Sequence, residues 1–262
     1  MKLYIIIPAY NEEKRISKTL ESYLEFFKKI KKENKLDFNI LVVINNTKDK
    51  TKIIVENYCK KYSELSYLDL EKGGKGYAVI EGFKYALKKD FDLIGYVDAD
   101  LATPPEAFYM LVERIKNYDG IIASRWNKKS IIKTPQTLLR KITSRGFNFL
   151  VRILFFMPYN DTQCGAKLFK KEAIKNVVNK IGITKWAFDI DLLYNLKKSD
   201  YKIIESPTIW EDKTDSKLNL KTVPLMMFLS IVRLRILNSP FKKIVDIYDK
   251  IPEKIKIHHR WI

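Results

Sequence analysis

Residues 92–106, which read DLIGYVDADLATPPE, join an apolar run, two carboxylates one residue apart and a proline pair. A short apolar run bounded by turn formers predicts a buried strand. Pro104 and Pro105 predict the first turn of a helix, where a missing N–H costs nothing. Asp98 and Asp100 then fall at a strand's C-terminal end, the edge of an open α/β sheet at which ligands bind. Two carboxylates there suit Mg²⁺ or Mn²⁺ that also holds a diphosphate, because such hard cations take one or two carboxylates plus phosphate oxygens. The same spacing also suits plain structure, with Asp98 opening a turn and Asp100 capping a helix.

The chain before this stretch repeats one unit. Residues 3–7 are a β-rich run closed by Pro8, and Ile16, Leu20, Tyr23, Leu24, Phe27 and Ile30 follow at helical spacing. Strands over 40–44 and 67–70 and helices over 51–62 and 77–88 continue the alternation, with Gly73-Gly74-Lys75-Gly76 as a loop between them. A helix over 104–117 and a strand over 120–124, ending at Arg125, complete it. The strands are apolar throughout and do not alternate with polar residues, which predicts a mainly parallel sheet covered by helices on both faces. A length of 262 residues suits one such domain with a tail.

Charge narrows the partners. Lys and Arg number 49 against 31 Asp and Glu, a formal charge of +18, so the partner is polyanionic: nucleic acid, an acidic membrane surface or a phosphorylated substrate. No acidic residue occurs between Asp119 and Asp161, and residues 138–156 have helical periodicity with arginines between the apolar positions. That helix fits an anionic membrane or a phosphate-bearing lipid, and equally a core helix with a solvated basic face. Residues 223–237 form a second apolar helix followed by a basic segment, the two-signal arrangement of a peripheral membrane protein. No window is long enough for a membrane span. Cys59 and Cys164 lack the spacing of a disulfide framework or a zinc site, which fits a reducing, cytoplasmic setting. On a helix over 187–198, Asp189 and Asp191 diverge by about 200°, so only one of them faces any site.

Pro8-Ala9-Tyr10-Asn11-Glu12, then Asn45, Gly74-Lys75-Gly76, Asp98-Ala99-Asp100, Ser124-Arg125, Asp161-Thr162-Gln163-Cys164-Gly165 and Ser216-Lys217 follow one another across residues 1–240. This order resembles the inverting family-2 glycosyltransferases of GT-A fold. Within them it most resembles the polyprenyl-phosphate (dolichyl-phosphate) glycosyl synthases of the glucosyl-type branch. The resemblance implies a Rossmann-like GT-A α/β domain over 1–218, with a nucleotide-binding half at 1–125 and an acceptor half at 126–218. Residues 219–262 become an amphipathic, basic, membrane-associating region. It implies that Pro8, Tyr10 and Glu12 lie beside the nucleoside, with Glu12 accepting from a ribose hydroxyl. Asp98 and Asp100 become the ligands of Mg²⁺ or Mn²⁺, and Lys75, Ser216 and Lys217 approach the diphosphate. Arg125, Arg140 and Arg145 meet the sugar or the acceptor phosphate, and Asp161, Gln163 and Asp191 line the sugar pocket.

Two departures sharpen these expectations. The family usually reads Val-Asp-Asp-Gly-Ser-x-Asp where this chain has Val43-Ile44-Asn45-Asn46-Thr47-Lys48-Asp49. An amide at Asn45 offers one donor and one acceptor, matching uracil, where a carboxylate matches guanine's two donors. A UDP-sugar donor is therefore expected. Mannosyl-type relatives often place a glutamine where this chain has Ala102, so the metal's remaining ligands stay open. A lipid phosphate is already an anion near neutral pH and needs no general base, which would leave Asp191 to position sugar hydroxyls. The expected reaction is inverting transfer of a hexose, glucose by the resemblance, to a polyprenyl phosphate at the cytoplasmic face of a membrane. The alternatives are a GDP-mannose-dependent mannosyl synthase, transfer to a saccharide with Asp191 as base, and a non-catalytic basic protein that binds lipid or nucleic acid. Nucleic acid is not expected as a partner, since no recognition motif is present.

Overall fold

Apolar runs form the strands and 3.6-residue periods form the helices. The computed structural model describes residues 1–134, 137–182, 187–213, 223–243 and 245. The first half contains β1 (Lys2–Ala9), α1 (Ile16–Lys32), β2 (Asp37–Asn45), α2 (Thr51–Cys59), β3 (Leu65–Leu70), α3 (Lys75–Ala86), β4 (Leu93–Val97), α4 (Pro105–Ile115) and β5 (Gly120–Ser124). The second contains β6 (Ile131–Thr134), α5 (Leu138–Phe155), β7 (Ala166–Lys170), α6 (Lys171–Val177), α7 (Phe188–Lys198), β8 (Ile203–Pro207), β9 (Ile209–Glu211) and α8 (Val223–Leu237).

Seven strands make one sheet in the order β3-β2-β1-β4-β7-β5-β8, parallel except where β7 runs antiparallel to β4 and β5. The mainly parallel α/β fold expected from the sequence is the fold observed. β6 and β9 pair in a separate two-stranded ribbon. Strand period two divides the core: Ile5 and Ile7 face one apolar cluster with Phe27, Phe38 and Phe108, while Tyr4 and Ile6 face another with Phe83, Tyr96 and Leu192. In the first cluster Phe27 stands 5.5 Å from Phe38 and 6.5 Å from Phe108, ring centre to ring centre. Truncating a fully buried phenylalanine in such a cluster costs about 3–5 kcal/mol.

α5 is at once a core helix and an exposed one. Phe147, Val151 and Phe155 are buried in the second cluster, which also takes Ile231 and Leu234 from α8. Its other side leaves Ile142, Phe149 and Ile153 in solvent, at 61, 61 and 52% exposure, and α8 exposes Leu225, Phe228 and Leu229. No helix among the described residues is long and apolar enough to cross a membrane. The basic stretch 246–262 lies outside the described residues.

Candidate active site

The C-terminal ends of β1, β2, β4 and β5 lie along one edge of the sheet, and because β7 is reversed its N-terminal end joins them. Along this edge stand Pro8 to Glu12, Asn45, Asp98 to Asp100, Arg125 and Asp161 to Gly165. The carboxylate loop after β4 is tied down from three directions. Thr19 Oγ1 of α1 donates to Ala99 O at 2.7 Å, and Tyr23 Oη donates to Thr103 O at 2.9 Å. Asp98 N–H donates to Gly165 O at 3.1 Å. Gly165 leaves room for the Asp98 carboxylate, since a Cβ at that position would collide with its Oδ2 and displace it. Asp100 Oδ1 accepts the Ala102 N–H at 2.9 Å, and Leu101 sits in the left-handed region at φ 58°. Asp100, expected in the purely structural reading to cap the helix, instead makes the turn expected of Asp98, since α4 begins at Pro105 with Pro104 as its N-cap. The turn occupies one oxygen and leaves the side chain at the edge.

The charges here come in compensated sets. Lys75, first residue of α3, places Nζ 2.5 Å from Asp98 Oδ1. Desolvation pulls the Lys75 ammonium down, but Asp98, Asp189 and Asp100 outweigh it and hold it above the ordinary lysine value. Below them Lys167, fully buried in β7, donates from Nζ to Asp189 Oδ1 at 2.6 Å and to Cys164 O at 2.7 Å. The Tyr96 hydroxyl also donates to Asp189 Oδ1. Burial pushes the Asp189 carboxyl up, but Lys167 and Lys75 prevail and keep it below the usual carboxylate range. Burial and the neighbouring charge of Asp98 raise Asp100. Burial pushes the Cys164 thiol up to about 12, so it packs as a neutral group.

Asp191 is placed differently from expectation. It is 1% exposed and turned inward, its Oδ2 accepting the Gly182 N–H at 2.7 Å and its Oδ1 accepting Asn195 Nδ2 at 2.7 Å. The helical divergence of the two aspartates is as foreseen, but it is Asp189 that joins Lys75 and Asp98. Sequence reading missed Lys167 as a partner; a lysine inside an otherwise apolar strand was the available signal.

Asp161 also departs from its expected role. Its carboxylate takes a bidentate grip on Arg125, from Nε at 2.7 Å and Nη2 at 2.8 Å, and accepts the Arg125 N–H at 2.9 Å. At 2% exposure Asp161 holds an arginine, where a sugar-lining role had been expected of it. Desolvation opposes the Arg125 charge, yet Asp161 raises its pKa overall. The rest of the motif is a joint. Thr162 donates to Asn148 of α5, Asp161 N–H donates to Glu205 of β8, and Gln163 is half-buried beside them. Trp126 stacks between two arginines, 5.8 Å from Arg125 and 4.8 Å from Arg145. Ser124 Oγ and Trp126 Nε1, either side of Arg125, are buried polar atoms with no hydrogen-bond partner among the described residues.

Asn45 corrects a further expectation. It is 2% exposed, its Nδ2 donates to Ala9 O at 3.1 Å and its Oδ1 accepts the Gly74 N–H at 3.1 Å. The amide therefore clamps the Gly74-Lys75-Gly76 loop to β1, and base-reading by its two functional groups has no support in this arrangement. Glu12 is gripped by Arg15 Nε and Nη2, each at 2.7 Å, so the ribose-accepting role expected of it competes with an ion pair. Pro8 is buried and Tyr10 is exposed at the strand end. Ser216, Lys217 and the side chain of Arg140 lie outside the described residues.

The class of protein now follows from comparison as well as geometry. The chain belongs to glycosyl transferase family 2, whose pattern matches residues 4–178. Among curated relatives, a dolichyl-phosphate beta-glucosyltransferase of Trichomonas vaginalis is 33% identical over 239 residues, covering 88% of this chain and 70% of that protein. A human dolichyl-phosphate beta-glucosyltransferase is 30% identical over 260 residues, covering 92% and 78%. In shape the chain is similar to a Mycobacterium tuberculosis glucosyl-3-phosphoglycerate synthase crystallised with Mn²⁺, uridine diphosphate and phosphoglyceric acid. That likeness has a TM-score of 0.64 at 14% identity over 90% of this chain and 78% of that one, and it bears on fold alone.

Proposed function

We propose that this glycosyltransferase moves glucose, with inversion, from UDP-glucose to the phosphate of a dolichyl or related polyprenyl phosphate. The observation that carries the reading is the pairing of two sites along one sheet edge. One is a carboxylate pair with a lysine, Asp98, Asp100 and Lys75. The other is an anion-seeking cluster of Arg125, Arg145 and Trp126 with two orphaned donors.

Asp98 and Asp100 fit a divalent cation on the chemistry of the donor set. Both are hard oxygen ligands, and burial together with the Asp98 charge already raises Asp100. No group of three or more His, Cys, Asp or Glu converges among the described residues, so phosphate oxygens and water would complete the shell. Bound there, Mg²⁺ or Mn²⁺ would neutralise charge on the leaving diphosphate. Lys75 adds a mobile point charge to the same diphosphate. Pro8, Tyr10 and Glu12 flank the nucleoside. The uridine assignment rests on the relatives and not on Asn45.

Arg125 is pre-aimed by Asp161, an ion pair that fixes its guanidinium in one orientation. With Arg145, Trp126 Nε1 and Ser124 Oγ it holds the acceptor phosphate. An oxygen of that phosphate forms the bond to the anomeric carbon from the face opposite the diphosphate, whose bond to the same carbon breaks as UDP leaves. The acceptor arrives as an anion, so no side chain need remove a proton. Asp189 fits this, because its ion pair with Lys167 makes it a poor base. The saccharide-acceptor alternative asks Asp191 to act as base, but its oxygens are spent on Gly182 and Asn195. Residues 1–125 thus serve the donor and 126–218 the acceptor. The exposed apolar sides of α5 and α8, together with the basic segment after them, rest on an anionic membrane surface. Widely separated free cysteines favour its cytoplasmic face.

Incubation with labelled UDP-glucose, Mn²⁺ and dolichyl phosphate, followed by partition into organic solvent, tests the reading. Label should enter the lipid phase with UDP-glucose and far less with GDP-mannose. Absence of lipid-soluble label, or equal transfer from GDP-mannose, overturns it.

A further inference from the structure

Lys75 and the carboxylate pair stand in a relation that metal binding alone does not explain. Asp98 Oδ1 lies 2.5 Å from Lys75 Nζ, so the carboxylate assigned to a divalent cation already carries an internal one. Two cations on one carboxylate repel, so the ammonium and the divalent cation compete for it. The backbone under Lys75 is fixed. Asn45 Oδ1 holds the Gly74 N–H, and Gly76 lies so close to α7 that a Cβ there would stand 2.6 Å from Phe188 Cβ. Only the four-carbon stem of Lys75 is free to redirect its charge. The same close packing brings Asp189, the residue after Phe188, to bear on Lys75 as a second carboxylate. Asp189 is itself paired with Lys167 and hydrogen-bonded by the Tyr96 hydroxyl, so it steadies the ammonium without demanding it. A donor diphosphate offers Lys75 a stronger anionic partner than either.

We propose that Lys75 is an exchangeable counter-ion of Asp98. It neutralises the carboxylate pair until the donor diphosphate arrives and then passes to the diphosphate, so the divalent cation binds tightly only together with the nucleotide. The inference rests on the assignment of Asp98 and Asp100 as the cation's ligands. It adds an order to donor binding and makes metal and nucleotide mutually dependent. By linkage, the factor by which UDP tightens Mn²⁺ equals the factor by which Mn²⁺ tightens UDP.

The test is a Mn²⁺ titration of the intact chain by electron paramagnetic resonance, with and without UDP. In the parent chain Mn²⁺ should bind weakly alone and tightly with UDP. In Lys75→Met and Lys75→Gln, Mn²⁺ alone should bind about tenfold more tightly, as expected for loss of one charge-assisted contact, and the tightening by UDP should shrink. Two chemically different replacements with circular dichroism spectra matching the parent guard against a merely misfolded variant. Lys72→Met, which removes an exposed charge from the same loop, should change Mn²⁺ affinity less than twofold. Unchanged or weaker Mn²⁺ binding in both Lys75 variants, or an equal gain in Lys72→Met, overturns the proposal. If instead Asp98→Asn and Asp100→Asn leave Mn²⁺ binding with UDP intact, the cation-site assignment fails and the exchange falls with it.

Discussion

The catalytic edge and the α5–α8 face use charge in opposite ways. At the edge the charges pair within the chain: Lys167 with Asp189 and Arg125 with Asp161 in the interior, and the more exposed Lys75 with Asp98. On the face there is no acid between Asp119 and Asp161, and the basic residues of α5 alternate with exposed Ile142, Phe149 and Ile153. Burying a charge is costly unless it is paired, so Lys167–Asp189 and Arg125–Asp161 hold the edge's frame, and only the more open Lys75–Asp98 pair is left to exchange. The face has no such frame; its apolar area and its cations suit a partner that is both apolar and anionic. On the proposed function, chemistry and delivery of a lipid acceptor fall to different surfaces of one domain.

The comparison sharpens under substitution. Asp100→Asn should lower turnover about a thousandfold with the fold intact, in the range seen when a charge-stabilising group is lost, measured as label transferred to lipid. Residual activity within tenfold of the parent would break the edge's half of the comparison. Next in size, Lys167→Met leaves Asp189 without its buried partner and should cost about 3–5 kcal/mol in urea unfolding. Adding Asp189→Asn should restore much of that loss, because the two effects share one ion pair. A smaller and different effect belongs to the face. Phe149→Asp combined with Ile153→Asp should weaken co-sedimentation with anionic vesicles by about tenfold or more, while stability stays within about 0.5 kcal/mol.

Asp191 supplies an effect that appears only in the pH dependence. Burial lifts its carboxyl to about 7 in the folded chain, so the folded state keeps a proton that the unfolded state loses at its lower, ordinary value. Its contribution to stability is full below the unfolded value and fades as pH rises towards about 7. Urea unfolding of Asp191→Asn should therefore show a flatter pH dependence over that window than the parent chain. An unchanged slope would mean that Asp191 ionises freely in the fold.

Much of this was legible in the sequence, and the limits have physical causes. The apolar run before Asp98, the helical spacing from Ile16 to Ile30 and the apolar period of α5 each report a local rule, and each became the element expected. β6 was not foreseen, because its pairing with β9 depends on chain brought back from a distant position. The roles of Asn45, Asp161 and Asp191 went astray for a related reason. Residue type says which hydrogen bonds a side chain can make, and only packing says which are already made. Asn45 is spent on Ala9 and Gly74, Asp161 on Arg125, and Asp191 on Gly182 and Asn195. The choice between Asp189 and Asp191 turns on which side of α7 meets Lys167, a partner that lies on another strand.

The central claim is that the edge does the chemistry and the face brings the lipid to it. One assay separates them: glucosyl transfer by Asp100→Asn and by the Phe149→Asp, Ile153→Asp pair, each measured on a short, water-soluble polyprenyl phosphate and on a long-chain one in anionic vesicles. The expected result is that Asp100→Asn loses both activities, whereas the face variant keeps the first and loses the second. Parallel loss of both activities in the two variants would contradict the division.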